Sequence, residues 1–305
     1  MDEAALEWCK RFESHLSSER RLSEHTVSNY RRDLALLRGW CDKQAIDDWA
    51  DLTGKDVRAF AAAEFRRGQN PRSIARALSA ARAFYRYLAR EGRVTRNPVD
   101  GVRAPKASKR LPGTLDADTM AALLAIKDKR PIALRDRAMM ELFYSSGLRL
   151  AELTGLDLSD VNLNDQTARL LGKGNKERIV PIGKMAAAAL AAWLRVRSRF
   201  AATVSHSQQP AIFVTAAGNR ISRRAVQDRV RYWARRQGID ARVYPHLFRH
   251  SCATHVLESS RDLRGVQELL GHADIGTTQI YTHLDFQHLA QIYDEAHPRA
   301  RRNRD

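Results

Sequence analysis

Between Thr95 and Gly113 the chain reads TRNPVDGVRAPKASKRLPG, with three prolines and three lone large apolar residues, Val99, Val102 and Leu111. Proline removes a backbone donor and is excluded from helix interiors. Isolated apolar side chains supply neither the 3.6-residue nor the 2-residue period of a buried face. The stretch therefore reads as an extended, positively charged linker, and it divides the 305 residues into two separately folded parts. The expected layout is a helical first domain over 1–102, a linker over 103–113, a second domain over 114–297 and a basic tail over 298–305.

Ahead of the linker every periodic segment is helical. Leu6, Phe12 and Leu16 form one stripe, and Ser23 is a cap before a helix over His25–Trp40, with Val27, Tyr30, Leu34 and Leu37 inward. Thr53 caps a third helix that turns Val57 and Phe60 inward. Asn70-Pro71 opens a fourth. In it Ile74, Leu78, Ala81, Phe84, Tyr85 and Leu88 recur at about 100° per residue on one side. Arg72, Arg76, Arg82, Arg86 and Arg90 gather on the other side, with almost no acid interleaved to pair with them. Five unpaired guanidiniums on one stripe repel each other, so a polyanion is the natural partner.

Overall charge agrees with that reading. Lys plus Arg number 52 against 35 Asp plus Glu, a net charge of +17. Nucleic acid is the expected ligand, because each cation set against a phosphate releases a condensed counterion. Cys9, Cys41 and Cys252 are widely separated, which argues against a disulfide framework or zinc ribbon and suits a reducing cytoplasm. The N-terminal MDEAALEWCKRF lacks the basic and apolar regions of a signal peptide, and no apolar run approaches a membrane span.

After the linker, Asp116 or Asp118 caps a helix through Met120–Ile126, and another runs over Ile132–Tyr144 to a stop at Gly147. The period then changes: ARLLG, KGNKE and RIVPI within Val161–Ile182 form a β-hairpin with Gly174-Asn175 in its turn and Pro181 on an edge strand. Helices follow, with stops at Gly238 and Gly271. The fold class is mainly α: an N-terminal helical bundle and an α+β domain with a small antiparallel sheet.

Four places in the second domain carry chemistry. Arg149 begins the helix LAELTGL, where a cation opposes the helix dipole unless an anion is held there too. Lys173, between two glycines at the hairpin tip, can approach and protonate a leaving oxygen, with Lys176 as a rival. In YPHLFRHSCATH, Pro245 fits the first helical position, and His246, Arg249 and His250 share one face at i, i+3 and i+4. A forked guanidinium beside an imidazole suits a pentacoordinate phosphorus. The His246/His250 spacing is also that of zinc proteases, but Leu247 and Phe248 stand where their glutamate belongs and Arg249 would face the dication, so His250 and His255 read as structural. In ELLGHADIGTTQIYTHLD, Gly271 places His272 on a tight turn and Thr277 or Thr278 caps a helix with Tyr281 in its first turns. There is no Walker A motif and no acidic cluster suited to two-metal chemistry, so neither ATP, metal nor other cofactor is expected.

The order Arg149, Lys173, His246-x-x-Arg249-His250, Gly271-His272, Tyr281-Thr282-His283 resembles the tyrosine recombinases, the phage integrase family, and within it the Xer type. The likeness extends over nearly the whole chain, from RRLSEHTVSNYRRDL through NPVDGVRAPK to DFQHLAQIYDEAHPRA. It implies an N-terminal SAM-like core-binding domain and a catalytic domain. It also implies a set of roles: Arg149 and Arg249 bind phosphate, Lys173 is the general acid, His246 assists proton transfer, His272 binds phosphate and Tyr281 is the nucleophile. The family position at Leu247 is often Lys or Asp, a departure outside that set. The implied partners are double-stranded DNA at a dif-type site and a second, XerD-like recombinase in a heterotetramer, with an FtsK-type translocase acting indirectly. The C-terminal helix, about Phe286–Ala296, carries Leu289, Ile292 and Tyr293, which suit packing either in cis or into a neighbouring subunit. Two other readings stand beside this one: a type IB topoisomerase, which shares the pocket, and a silent architectural DNA-binding protein.

Overall fold

The computed structural model describes residues 1–106, 113–171, 177–201 and 210–260. The chain divides into two compact units, Met1–Arg110 and Leu111–Asp305.

The first unit is built from α1 (Glu3–Ser14, extended by a π-helical turn at His15–Glu19), α2 (Glu24–Lys43), α3 (Gly54–Arg66) and α4 (Pro71–Arg90). Each start has its local cause: Ser23, Thr53 and Asn70 each accept a first-turn backbone N–H, and Thr53 with Asp56 completes a capping box. Phe12, Leu16, Leu37, Trp49, Phe60, Phe84 and Leu88 fill the core at 1 % exposure or less. Its polar tips are satisfied as burial requires: Trp49 Nε1 donates to Ala5 O at 2.8 Å and Tyr85 Oη to Trp49 O at 2.8 Å.

Two expectations change here. The stretch from Thr95 does not run as an extended linker throughout: Val99 and Val102, within the expected first domain, are buried in this core, and Arg82 donates to both of their carbonyls. Lone apolar residues carry no period, but each fills a gap. The arginine stripe of α4 is also not bare. Arg76 forks onto Asp33 of α2 at 2.8 and 2.9 Å, Arg82 faces Asp100 at 3.8 Å, and Arg90 pairs with Glu91 at 2.9 Å and Glu19 at 3.6 Å. Apart from Glu91, the C-cap of α4 itself, the missing acids come from other elements, which spacing along one helix cannot show. Arg72 and Arg86 remain exposed.

The second unit comprises α5 (Ala117–Leu124), α6 (Pro131–Ser145), α7 (Leu150–Gly155), strands β1 (Val161–Asn162), β2 (Thr167–Leu171) and β3 (Glu177–Pro181), then α8 (Lys184–Ala201), α9 (Arg223–Arg236) and α10 (Pro245–Ser260). Asp116 is the cap of α5. The strands form an antiparallel sheet in the order β1-β2-β3, paired from Thr167↔Pro181 to Leu171↔Glu177. Pro181 thus lies on an edge strand, where its missing N–H breaks no ladder.

The second unit is organised around α6. From Ala138 to Ser145 every residue is buried, and α5, α8, α9 and α10 pack around the helix. A helix buried on all sides must satisfy its own polar groups. Asp136, with no exposed surface, accepts from Arg135 of the same helix and from Arg229 and Trp233 of α9. Among the described residues no helix is long and apolar enough to cross a membrane.

Candidate active site

The site begins where α6 ends. Tyr144 Oη and His255 Nδ1 of α10 are 2.8 Å apart. Ser145 Oγ accepts Gly183 N–H at 2.7 Å, and Ser146 Oγ donates to Pro181 O at 2.7 Å. Gly147 has φ +58°, a left-handed conformation that suits glycine, and its carbonyl accepts from Arg249 Nη1. Four consecutive residues are thereby tied to α10 or to the end of β3. The turn that presents Arg149 is fixed by hydrogen bonds rather than by apolar packing alone.

Arg149 is the N-cap of α7. The anion expected at this helix start is supplied by the chain itself. Glu152, three residues on, accepts the Arg149 N–H at 2.8 Å and its Nη1 at 2.8 Å. Arg178 of β3 donates to the same two carboxylate oxygens at 2.7 and 3.0 Å. Burial alone would raise the Glu152 pKa, but the bonds from Arg178 and Arg149 outweigh it and hold the carboxyl at about 2. Glu152 was not singled out from sequence, although R-x-x-E across a helix start is the reach-back half of a capping box. Arg178 carried no such signal.

Pro245 opens α10, and Leu247, Phe248 and Cys252 anchor the helix in the core. On its other side stands Arg249, only 7 % exposed, at the floor of the site, while the Arg149 side chain is 37 % exposed at the rim. Burial first, then the charge of Arg149, lowers the Arg249 pKa to about 10, so it stays protonated at neutral pH while its solvation is poor. A desolvated guanidinium held beside another is a strong anion site. His246 is exposed at the mouth of the site. Partial burial and then the charges of His250, Arg249 and Arg149 lower its pKa, leaving the imidazole neutral at pH 7 and able to take a proton.

The structure thus brings Arg149, His246 and Arg249 into one electrostatic cluster. Lys173, Lys176, His272 and Tyr281, the Gly174-Asn175 turn, the Gly271 stop, the C-terminal helix and the basic tail lie outside the described residues. His255, read as structural, is a buried tie between α10 and α6; His250 is exposed. Sequence reasoning also passed over α9, where six of fourteen residues are arginine and Arg223, Arg224, Arg231, Arg235 and Arg236 are exposed.

Two histidine titrations, one at the exposed His246 and one at the buried His255, give a stability prediction. The pKa values of His246 and His255 are lowered from 6.5, mainly by burial. The unfolded chain therefore takes up protons at these residues before the folded one does. Stability owes nothing to this difference above that value and falls as pH drops through it. A thermal melt is expected to show a lower Tm at about pH 5 than at about pH 7, with a shallower dependence in His255→Asn. An unchanged dependence in that variant counts against the assignment. Further loss follows as Glu152 is protonated between 4.5 and about 2.

Comparison with known proteins places this chain in a class. Residues 113–288 match the phage integrase family and residues 9–92 match the phage integrase N-terminal SAM-like domain. The chain belongs to the phage integrase family, the tyrosine recombinases, a class of site-specific DNA recombinases. It is 51% identical over 302 residues to tyrosine recombinase XerC of Xanthomonas campestris pv. campestris, strain B100, covering 99% of this chain and 92% of that one. XerC of Azotobacter vinelandii is 52% identical over 296 residues, covering 96% and 97%. Among solved structures, the fold is similar to the XerH recombinase bound to a palindromic difH substrate in a post-cleavage complex. That match has a TM-score of 0.70 at 20% identity and covers 93% of this chain and 83% of that one. A lambda integrase (75–356) dimer bound to a COC′ core site gives 0.69 at 21%, covering 90% and 98%.

Proposed function

We propose that this protein is an XerC-type recombinase that cuts and rejoins one strand at a dif-type site, acting with a second, XerD-like recombinase to resolve chromosome dimers. In this reading Arg249 and Arg149 clamp the scissile phosphate and Tyr281 attacks it, passing its proton towards His246. The P–O bond to the 5′ oxygen breaks, Lys173 protonates that oxygen, and a 3′-phosphotyrosine with a free 5′-hydroxyl results. The hydroxyl of a partner strand reverses the linkage. Bond energy is conserved, so no ATP enters. Tyrosine ionises near pH 10, which is why its attack needs cations and a base around the phosphate. His272 completes the phosphate contacts.

What supports this reading most is the meeting of Arg149, His246 and Arg249, from separate elements, in a chain half identical to XerC proteins along its length. The exposed Arg72 and Arg86 of α4 and the arginines of α9 supply the cations for the duplex, with the segment over 103–113 as the strap between the domains. DNA is the polyanion; the reaction belongs to the cytoplasm, and the FtsK-type translocase acts through the partner. Relatives at this identity are recombinases, which favours this reading over the topoisomerase and architectural ones.

The test is incubation with a nicked dif-type duplex that traps the cleaved strand, without metal or ATP and with the XerD-like partner present. A protein–DNA band on a denaturing gel is expected from the wild type and not from Tyr281→Phe. Binding without any band overturns the reading in favour of an architectural protein.

A further inference from the structure

We infer that Arg178 is a positioning residue for the phosphate clamp: it occupies one side of the Glu152 carboxylate and so keeps Arg149 turned towards the phosphate. The inference rests on the function proposed above. Arg178 stands directly opposite Leu170 in the sheet, and Leu170 is buried, as are Ala168 and Val180 on the same face. A cation at a core-facing strand position is costly unless it has a partner there. Its partner is the helix α7 that carries the clamp.

The geometry divides one carboxylate between two arginines. Oε1 of Glu152 receives Arg149 Nη1 at 2.8 Å and Arg178 Nη1 at 2.7 Å. Oε2 receives the backbone N–H of Arg149 at 2.8 Å and Arg178 Nη2 at 3.0 Å. Arg178 thus takes the forked approach to the carboxylate, and its guanidinium leaves Glu152 only one bond for the Arg149 side chain. Remove it, and both oxygens gain acceptor capacity. Arg149 then has the fork within reach and is drawn inward to Glu152.

Charge points the same way. Arg149 and Arg178 both act on Arg249, and with Glu152 as the counter-charge the set carries a surplus of two positive charges. The pentacoordinate phosphorane carries two negative charges, so the set matches the transition state rather than the singly charged diester. Without Arg178 the surplus is one. The buried Nε of Arg178 has no hydrogen-bond partner among the described residues, so the hydrogen bonds that hold this guanidinium there are the two to Glu152.

The experiment measures single-turnover cleavage of the trapping duplex by full-length Arg178→Gln, Arg178→Lys, Glu152→Gln and the Glu152→Gln/Arg178→Gln double variant, beside DNA affinity and thermal melting. Arg178→Gln is expected to bind the duplex as the wild type does and to cleave it about 10–100-fold more slowly, the usual effect of losing a residue that orients a contacting group. Arg178→Lys, which keeps the charge without the fork, recovers part of the rate. Because Arg178 acts through Glu152, the double variant is no slower than Glu152→Gln alone. A wild-type rate in Arg178→Gln overturns the inference, as do losses that multiply in the double variant or a slowing that tracks the unfolded fraction in both Arg178 variants. If the wild type also forms no Tyr281-dependent band, the recombinase reading itself fails and this inference with it.

Discussion

Replacing Arg249 with alanine is expected to lower strand cleavage about 10²–10³-fold, on the scale of losing a preorganised donor aimed at developing negative charge. The expectation follows from where the side chain sits. Arg249 is nearly buried, its Nη1 is committed to the Gly147 carbonyl, and that bond sets the direction of the remaining N–H groups. Its pKa, lowered to about 10, reports a cation poorly served by water and close to the charge of Arg149. A phosphate relieves both conditions at once, and the relief grows as the phosphorane gains charge. The alanine variant should therefore lose rate far more than DNA affinity, which the exposed arginines elsewhere supply. Arg249→Lys separates charge from geometry: it keeps the cation but not the fork, and its cleavage should stay far below wild type. Single-turnover rates with saturating enzyme make the comparison. A lysine variant as fast as wild type would show that the site uses Arg249 only as a point charge.

Much of this site was legible because its residues are held by local rules. Pro245 at a first helical position sets the phase that puts His246 and Arg249 on one face, and Gly147 marks the stop that delivers Arg149. The first unit reads clearly for the same reason: caps at Ser23, Thr53 and Asn70 and a single apolar stripe define each helix. The sequence hides interactions between elements distant in the chain. Asp33 neutralises Arg76 from 43 residues away, so the basic stripe of α4 looked barer than it is. Arg178 meets Glu152 across 26 residues, and no periodicity announces a charge on the buried face of a strand. Val99 and Val102 show the opposite error, in which apolar residues too sparse to form a pattern are fully used by the core.

The same limit applies to α6, and it yields the largest expected effect on stability. The segment IALRDRAMMELF places Arg135 and Asp136 in a helix packed largely among apolar side chains, and both are buried, at 4 % and 0 % exposure. Asp136 Oδ1 accepts from Arg135 Nε and Nη2 at 3.1 and 2.7 Å, while Oδ2 accepts from Arg229 Nε at 2.5 Å and Trp233 Nε1 at 2.9 Å. One carboxylate thus satisfies three side chains and ties the centre of the domain to α9. Asp136→Ala leaves a buried guanidinium without its counter-charge and an indole N–H without an acceptor. Breaking a buried pair from one side costs about 3–5 kcal/mol, which for a unit of this size corresponds to a fall in Tm of about 10 °C. Asp136→Asn keeps the shape and one acceptor oxygen, so it should fall between that variant and the wild type. Thermal melts of the three proteins at one pH decide the matter. Because α9 also carries exposed arginines, the alanine variant should lose DNA affinity together with the fold of α9, a pattern opposite to that of Arg249→Ala. Equal Tm values for Asp136→Ala and wild type would mean that the network adds nothing to the stability of the folded domain.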